Sequence, residues 1–331
     1  VATSSAAQSV ARVELPNGTI AEWPLAQGAE VATVAFDPTD PLAWAAVGTR
    51  PLKSGSAREA FVVLGRGLKV EKTFRARERG EASISEPTPL FAAGTLRGLA
   101  WFRHPKDGDA RTASLVVAPF NGRRFGRPRV IAPQGPGSQL ALAAVPLGAR
   151  DWVLAWSRFD GQDDEIAWSR GTPGGVWSPL KMASANEVPD ITPTLAAHDR
   201  EVMLSWARFE AGNYRVAVAR LEDGRFTAGL SVGAAGSVFP SFLPNGSGGK
   251  EETFLLYRTA RPRGWEVAEI DREGQVTRRA AISGEVGATS ERPRVSLAPS
   301  GVTFRWQVAG EAEKAANGGD STFAPWQEER P

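Results

Sequence analysis

Cysteine is missing from the chain, and with it go disulfides, thiolate metal sites and a cysteine nucleophile. That absence leaves the redox compartment open. Histidine and tyrosine are nearly missing too, being represented only by His104, His198, Tyr214 and Tyr257. Neither histidine has a partner at metal-ligand or triad spacing, so both read as loop or surface residues. No apolar run is long enough to span a bilayer as a helix, and no glycine-rich phosphate loop joins a strand to a helix. An excess of one charge is lacking as well, because 39 Lys and Arg face 37 Asp and Glu. The basic run in residues 66–79 alternates as Lys69-Val70-Glu71-Lys72-Thr73-Phe74-Arg75, which fits a solvated outer strand better than a nucleic-acid surface. The chain is expected neither to span a membrane nor to bind nucleic acid.

What the chain does contain is a rhythm. Aromatic anchors recur at Trp44, Trp101, Trp156, Trp206, Tyr257 and Trp306, with intervals of 57, 55, 50, 51 and 49 residues. Turn dipeptides follow them at Arg66-Gly67, Asn121-Gly122, Gly174-Gly175, Asp223-Gly224 and Glu273-Gly274, where Gly, Asn and Asp supply the positive φ of tight hairpins. Prolines open strands at Thr88-Pro89, Thr192-Pro193, Phe239-Pro240 and Arg292-Pro293, as expected where no ladder donor is needed. Repeats of this length, rich in short strands, predict an all-β, six-bladed β-propeller of four-stranded blades. The blades fall at 29–80, 81–134, 135–184, 185–233, 234–284 and 285–331, the last with a polar tail, all in a single domain over 1–331.

The sixth turn is absent after Trp306 but present as Asn17-Gly18. The segment from Val10 to Ile20 aligns with that from Val216 to Phe226, so residues 1–28 are expected to close the ring by completing the C-terminal blade, removing free sheet edges. The tail from Ala309 to Asp320 is polar, while Phe323 and Trp326 either return as the last blade's third strand or form a docking segment.

Residues 154–179 run from the Trp156 strand through the acidic Asp160–Glu165 loop to Ser169-Arg170, the Gly174-Gly175 turn and Trp177-Ser178-Pro179. This stretch resembles the repeat of the sialidase-like, Asp-box (BNR) propellers. Gly171 and Thr172 stand where the Asp-box aspartate is sought, so the resemblance implies the fold in a degenerate form. Sialidase catalysis, as the family implies it, needs three arginines on the substrate carboxylate, a tyrosine nucleophile assisted by a glutamate, and an aspartate acid/base. Tyr257 is an anchor and Tyr214 sits at a strand entrance, so no catalytic residue is assigned.

The residues that invite a ligand are Arg103, Arg158 and Arg208, each two positions after an anchor, with Arg258 and Arg305 displaced by one. Period-two geometry puts tryptophan and arginine on one strand face, and several guanidinium groups around one rim would suit a carboxylate. Equally, each arginine neutralises a nearby acid such as Asp160, Glu187, Asp190 or Glu210. Asp160, Asp163 and Asp164 are a candidate calcium site; no other cofactor is expected. The start Val1-Ala2-Thr3-Ser4-Ser5-Ala6-Ala7-Gln8 looks like a processed end, which points to a periplasmic or extracellular protein. The reading is a non-catalytic binding module for a protein partner or an anionic glycan, such as an accessory subunit of a cell-surface assembly. The alternative is a divergent sialidase-like glycoside hydrolase.

Overall fold

The computed structural model describes residues 2–5, 8–15, 19–37, 40, 42–52, 57–78, 82–105, 112–148, 150–198, 201–243, 253–261, 263–283, 294–298, 301–305, 321–325 and 327–328. The chain separates into two compact units, Val1–Glu187 and Val188–Pro331, a break that falls between the third and fourth blades. The architecture is an all-β, six-bladed β-propeller. None of the described residues lies in an α-helix, and none forms a helix long and apolar enough to cross a membrane.

In the first unit, blade 1 is β4 (Glu30–Phe36), β5 (Ala43–Pro51), β6 (Arg58–Arg66) and β7 (Lys69–Ala76). Blade 2 is β8 (Ser83–Ala92), β9 (Thr95–His104), β10 (Ser114–Pro119) and β11 (Arg129–Ala132). Blade 3 is β12 (Gln139–Leu147), β13 (Asp151–Phe159), β14 (Asp164–Gly171) and β15 (Lys181–Met182). Each is an antiparallel meander running from inner to outer strand. Ahead of them stand β1 (Ala2–Ser5), β2 (Gln8–Glu14) and β3 (Ile20–Pro24), a three-stranded sheet of its own.

In the second unit, blade 4 is β16 (Asp190–His198), β17 (Glu201–Glu210) and β18 (Asn213–Glu222), with an outer edge broken into β19 (Arg225–Phe226) and β20 (Leu230–Ser231). Blade 5 is β21 (Val238–Phe242), β22 (Thr253–Ala260), β23 (Arg263–Ile270) and β24 (Val276–Ser283). The last repeat contributes β25 (Arg294–Ala298), β26 (Gly301–Arg305) and β27 (Ser321–Pro325) as a three-stranded sheet, and β28 (Gln327–Glu328) adds to the free edge of β24.

A bulge in the inner strand recurs and explains the sequence rhythm. The register slips between Ser85 and Thr88, Leu140 and Ala143, Ile191 and Thr194, and Val238 and Ser241. The residue directly opposite each slip is Trp101, Trp156, Trp206 and Tyr257, respectively. The first bulged residue takes a left-handed conformation in every case: Glu86 at φ 46, Ala141 at 58, Thr192 at 54 and Phe239 at 55. Such values are uncommon outside glycine. They persist because the aromatic side chain opposite is buried and holds the kink in place.

The bulge also accounts for the prolines. Pro193 and Pro240 occupy the second bulged position rather than a strand's first residue, and the equivalent in blade 2 is Pro87, not Pro89. A bulged residue has no ladder partner, so the missing N–H costs nothing there. Blade 3 has Leu142 instead, and its N–H donates to Glu86 Oε2 at 3.0 Å from blade 2. Loss of hydration holds the Glu86 carboxyl above the usual glutamate pKa, against the backbone N–H groups that it accepts.

Blade 1 departs from this pattern. Its slip lies between Val31 and Thr33, opposite Gly48 and Val47, so Trp44 is not the structural equivalent of Trp101. Gly48 holds the anchor place, and Phe61 from β6 fills it. A Cβ on Gly48 would come within 2.0 Å of the Glu30 carbonyl oxygen and 2.5 Å of the Phe61 ring. Trp44 instead stacks on Trp23 of β3 at 5.4 Å between centroids, inside a core shared by the N-terminal sheet (Ala11, Val13, Ala21) and blade 1 (Ala46, Val63).

Other cores likewise lie between consecutive sheets. Trp101 faces Val47 and Val62 of blade 1, Trp156 faces Phe102 and Leu115 of blade 2, and Tyr257 faces Val216 and Val218 of blade 4. The hairpin of β2 and β3 is found where the alignment with blade 4 places it. The third strand of the last repeat comes from Ser321–Pro325, however, and the N-terminal strands pair among themselves. Asn17-Gly18, Arg292-Pro293, Trp306, residues 309–320 and Trp326 lie outside the described residues.

Gly48→Ala is expected to lower stability by about 1–3 kcal/mol, the cost of forcing atoms into a filled site. Chemical denaturation checks this, and an unchanged midpoint would show that Phe61 does not occupy the anchor place.

Candidate anion-binding site

The arginines that follow the anchors differ in how they are neutralised. Arg103 Nε lies 2.8 Å from Glu78 Oε1, which also accepts Trp101 Nε1 at 2.8 Å. Arg208 meets both oxygens of buried Asp190, at 3.2 and 3.5 Å, and its guanidinium lies 5.0 Å above the Trp206 ring. Arg50 is the blade 1 counterpart, two residues after Gly48, and pairs with Glu59. These three guanidinium groups are structural, each sharing an acid of its own blade or of the one before.

Arg158 is held differently. Its Nη1 donates to Gln139 Oε1 at 3.3 Å and to the Pro133 carbonyl at 3.4 Å. Arg258 stands opposite Val238 in the ladder. Arg305 ends β26 and is described by its backbone alone.

Arg103 also lines a cleft of about 820 Å³ between blades 1 and 2, together with Arg77, Glu78, Arg127, Arg129 and Val130. Among the described residues, four arginines thus line the cleft with one glutamate. Arg77 pairs with Glu59, and Arg129 Nη1 donates to the Gly175 carbonyl at 2.9 Å, a neutral acceptor. Arg127 has no ion-pair partner among the described residues. Both Arg127 and Arg129 are exposed, and Val130 beside them is 52 % exposed. Of the four arginines, only Arg77 belongs to the basic run in residues 66–79 that the alternation assigns to a solvated outer strand. A usable signal was Arg127-Pro128-Arg129, where proline favours an extended chain and alternation turns both arginines to one side.

The acidic loop joins β13 to β14. Asp160 Oδ1 accepts the N–H of Gln162 at 2.8 Å and of Asp163 at 3.2 Å, which makes the turn. Asp160, Asp163 and Glu165 each bring one carboxylate oxygen within 4.8 Å of the others. Asp164 is not in that group, because strand alternation turns it and Glu165 to opposite faces. Burial first, then the charge of Asp160, raises the Asp164 pKa. Buried Glu165 accepts the Asn186 N–H at 2.5 Å and the Ser184 hydroxyl.

The rare residues are also placed. Tyr257 is 0 % exposed, and its hydroxyl meets Glu266 and, at 2.8 Å, Arg279 Nη1. It therefore packs as an anchor with a satisfied polar end. The Tyr214 ring lies edge-on to Phe209, with centroids 5.3 Å apart. His104 ends β9 rather than lying in a loop, with Nε2 2.6 Å from Ser85 Oγ, and burial lowers its pKa. His198 ends β16.

Glu59 is buried between Arg50 and Arg77, the second of which lines the cleft. Burial alone would raise its pKa, but the hydrogen bonds and charges of Arg77 and Arg50 outweigh it and hold the carboxyl below 4.5. Its contribution to stability is therefore present above about pH 4.5, the unfolded value, and is lost as pH falls through the lower folded value. Glu59→Gln is expected to cost about 2 kcal/mol at pH 7, since it leaves two cations without their shared acceptor. In urea titrations that difference should shrink steadily below pH 4.5; a difference independent of pH would contradict the pairing.

No family model matches the chain, and no curated protein matches it. Among solved structures it is similar to a protein of unknown function from Dyadobacter fermentans, at 12% identity and a TM-score of 0.54, covering 90% of this chain and 94% of that one. It is also similar to Trypanosoma rangeli sialidase, solved with 2,3-difluorosialic acid as a covalent intermediate, at 13% identity and a TM-score of 0.50. That likeness covers 97% of this chain but 59% of the sialidase. At these identities the similarity is one of fold, and the fold is the β-propeller.

Proposed function

We propose that this protein is a non-catalytic β-propeller of the sialidase-like kind that binds an anionic partner, an acidic glycan or an acidic protein segment, through the cleft between blades 1 and 2. The observation that carries the reading is the pair Arg127 and Arg129, exposed and facing a cleft of about 820 Å³ without a carboxylate partner among the described residues. Guanidinium groups pair with carboxylates and sulfates through planar, charge-assisted hydrogen bonds. Glu78 and Glu59 fix Arg103 and Arg77 at the wall, so two arginines give the frame and two remain to bind. A periplasmic or extracellular location and a place in a larger surface assembly fit such a module.

The hydrolase reading gains less from the geometry. A tyrosine nucleophile must reach substrate, whereas the Tyr257 hydroxyl is enclosed with Glu266 and Arg279.

Retention on immobilised alginate, with neutral dextran as control, tests the proposal. The native protein should be retained on alginate and released by salt, because screened charge is the source of affinity. Arg127→Ala/Arg129→Ala should weaken retention about tenfold, on the scale of one lost charge-assisted pair. A folded double variant that binds like the native protein would overturn the assignment.

A further inference from the structure

Gln139 and Asp190 hold the same place in blades 3 and 4. Each is the first residue of its inner strand, and each lies directly opposite the arginine that follows the anchor, Arg158 or Arg208. In blade 4 the acid neutralises the arginine. In blade 3 the acceptor is an amide, and the structure gives the reason: Gln139, buried, donates its Nε2 to the Ala113 carbonyl at 2.5 Å and the Pro133 carbonyl at 3.2 Å. A carboxylate could satisfy neither carbonyl. Its Oε1 accepts both Trp156 Nε1 at 3.0 Å and Arg158 Nη1 at 3.3 Å.

Arg158 is therefore a half-buried cation without a carboxylate within ion-pair distance among the described residues. Glu165, its neighbour across β14, is turned to Ser184 and Asn186. Burial accordingly lowers the Arg158 pKa. Only Nη1 makes hydrogen bonds to the described residues, which leaves the Nε and Nη2 edge of the fork without a partner among them. Gly135 lies over the guanidinium, where a Cβ would stand 3.0 Å from Nη2, 3.2 Å from Cζ and 3.3 Å from Nε. The bare glycine packs on the flat face of the fork rather than on that edge.

We propose that Arg158 is a second anion site, independent of the cleft between blades 1 and 2, and that it takes the carboxylate of a small organic acid on its Nε and Nη2 edge. A planar carboxylate matches this edge with two parallel hydrogen bonds, and it supplies the charge that Asp190 supplies to Arg208. A half-buried, uncompensated guanidinium gains more from such a partner than an exposed one does.

Thermal unfolding in glucuronate against equal ionic strength of sodium chloride tests this, with glucose as the uncharged control. Glucuronate should raise the native midpoint, and glucose should not. Arg158→Gln removes the charge and should abolish the rise. Gly135→Asp leaves Arg158 in place but brings a carboxylate into contact with its guanidinium, and should weaken the response about tenfold. Arg127→Ala/Arg129→Ala should retain the full response, which separates this site from the cleft. No rise in the native protein, or an equal rise in Arg158→Gln or Gly135→Asp, would overturn the proposal.

Discussion

The constraint on which the blades depend is the bulge in each inner strand, locked by the aromatic residue opposite it. Two bulged residues between Ser85 and Thr88 force Glu86 into a left-handed conformation, and burial of Trp101 against the preceding blade stabilises that kink. The same arrangement is repeated at Trp156, Trp206 and Tyr257. A buried indole contributes several kcal/mol, on the order of 3–5 when deleted, which exceeds the roughly 1–3 kcal/mol of a strained non-glycine residue. Two residues beyond the anchor, on the same face, comes the arginine. The bulge thus sets the position of the guanidinium groups as well as of the core.

What surrounds each arginine then decides its role. A carboxylate within the scaffold makes it structural, as with Arg103, Arg208 and Arg50. An amide or a backbone carbonyl leaves its charge without a carboxylate among the described residues, as with Arg158 and Arg129. The difference lies in neighbours such as Glu78, Gln139 and Asp190 rather than in the arginines themselves. Glu86 shows the same economy of acceptors, since it caps the Leu142 N–H where the other bulges use proline.

The repeat, the hairpin turns and the all-β class were legible in the sequence because period, turn chemistry and buried aromatics are local signals. Trp44 was misleading for a local reason too. It has the right residue type at nearly the right spacing, while the true equivalent is Gly48 with its aromatic supplied from the next strand by Phe61. Prolines were recognised, but their place inside a bulge depends on register, which a single strand does not record. The cleft was hidden because Arg77 and Arg103 reach it from different blades, about 26 residues apart, and an ion pair between such blades leaves no periodic trace. Gln139 was hidden because its meaning lies in two carbonyls, at Ala113 and Pro133, that sequence does not place.

The central claim is that this propeller uses uncompensated arginines to hold anions rather than to cleave them. Its most direct test is a mixed array of acidic and neutral glycans and peptides, probed with the intact protein and followed by mass analysis of each bound member. The account predicts salt-sensitive binding to the acidic members and their recovery unaltered. Binding confined to neutral members, or release of a cleaved glycan, would contradict it.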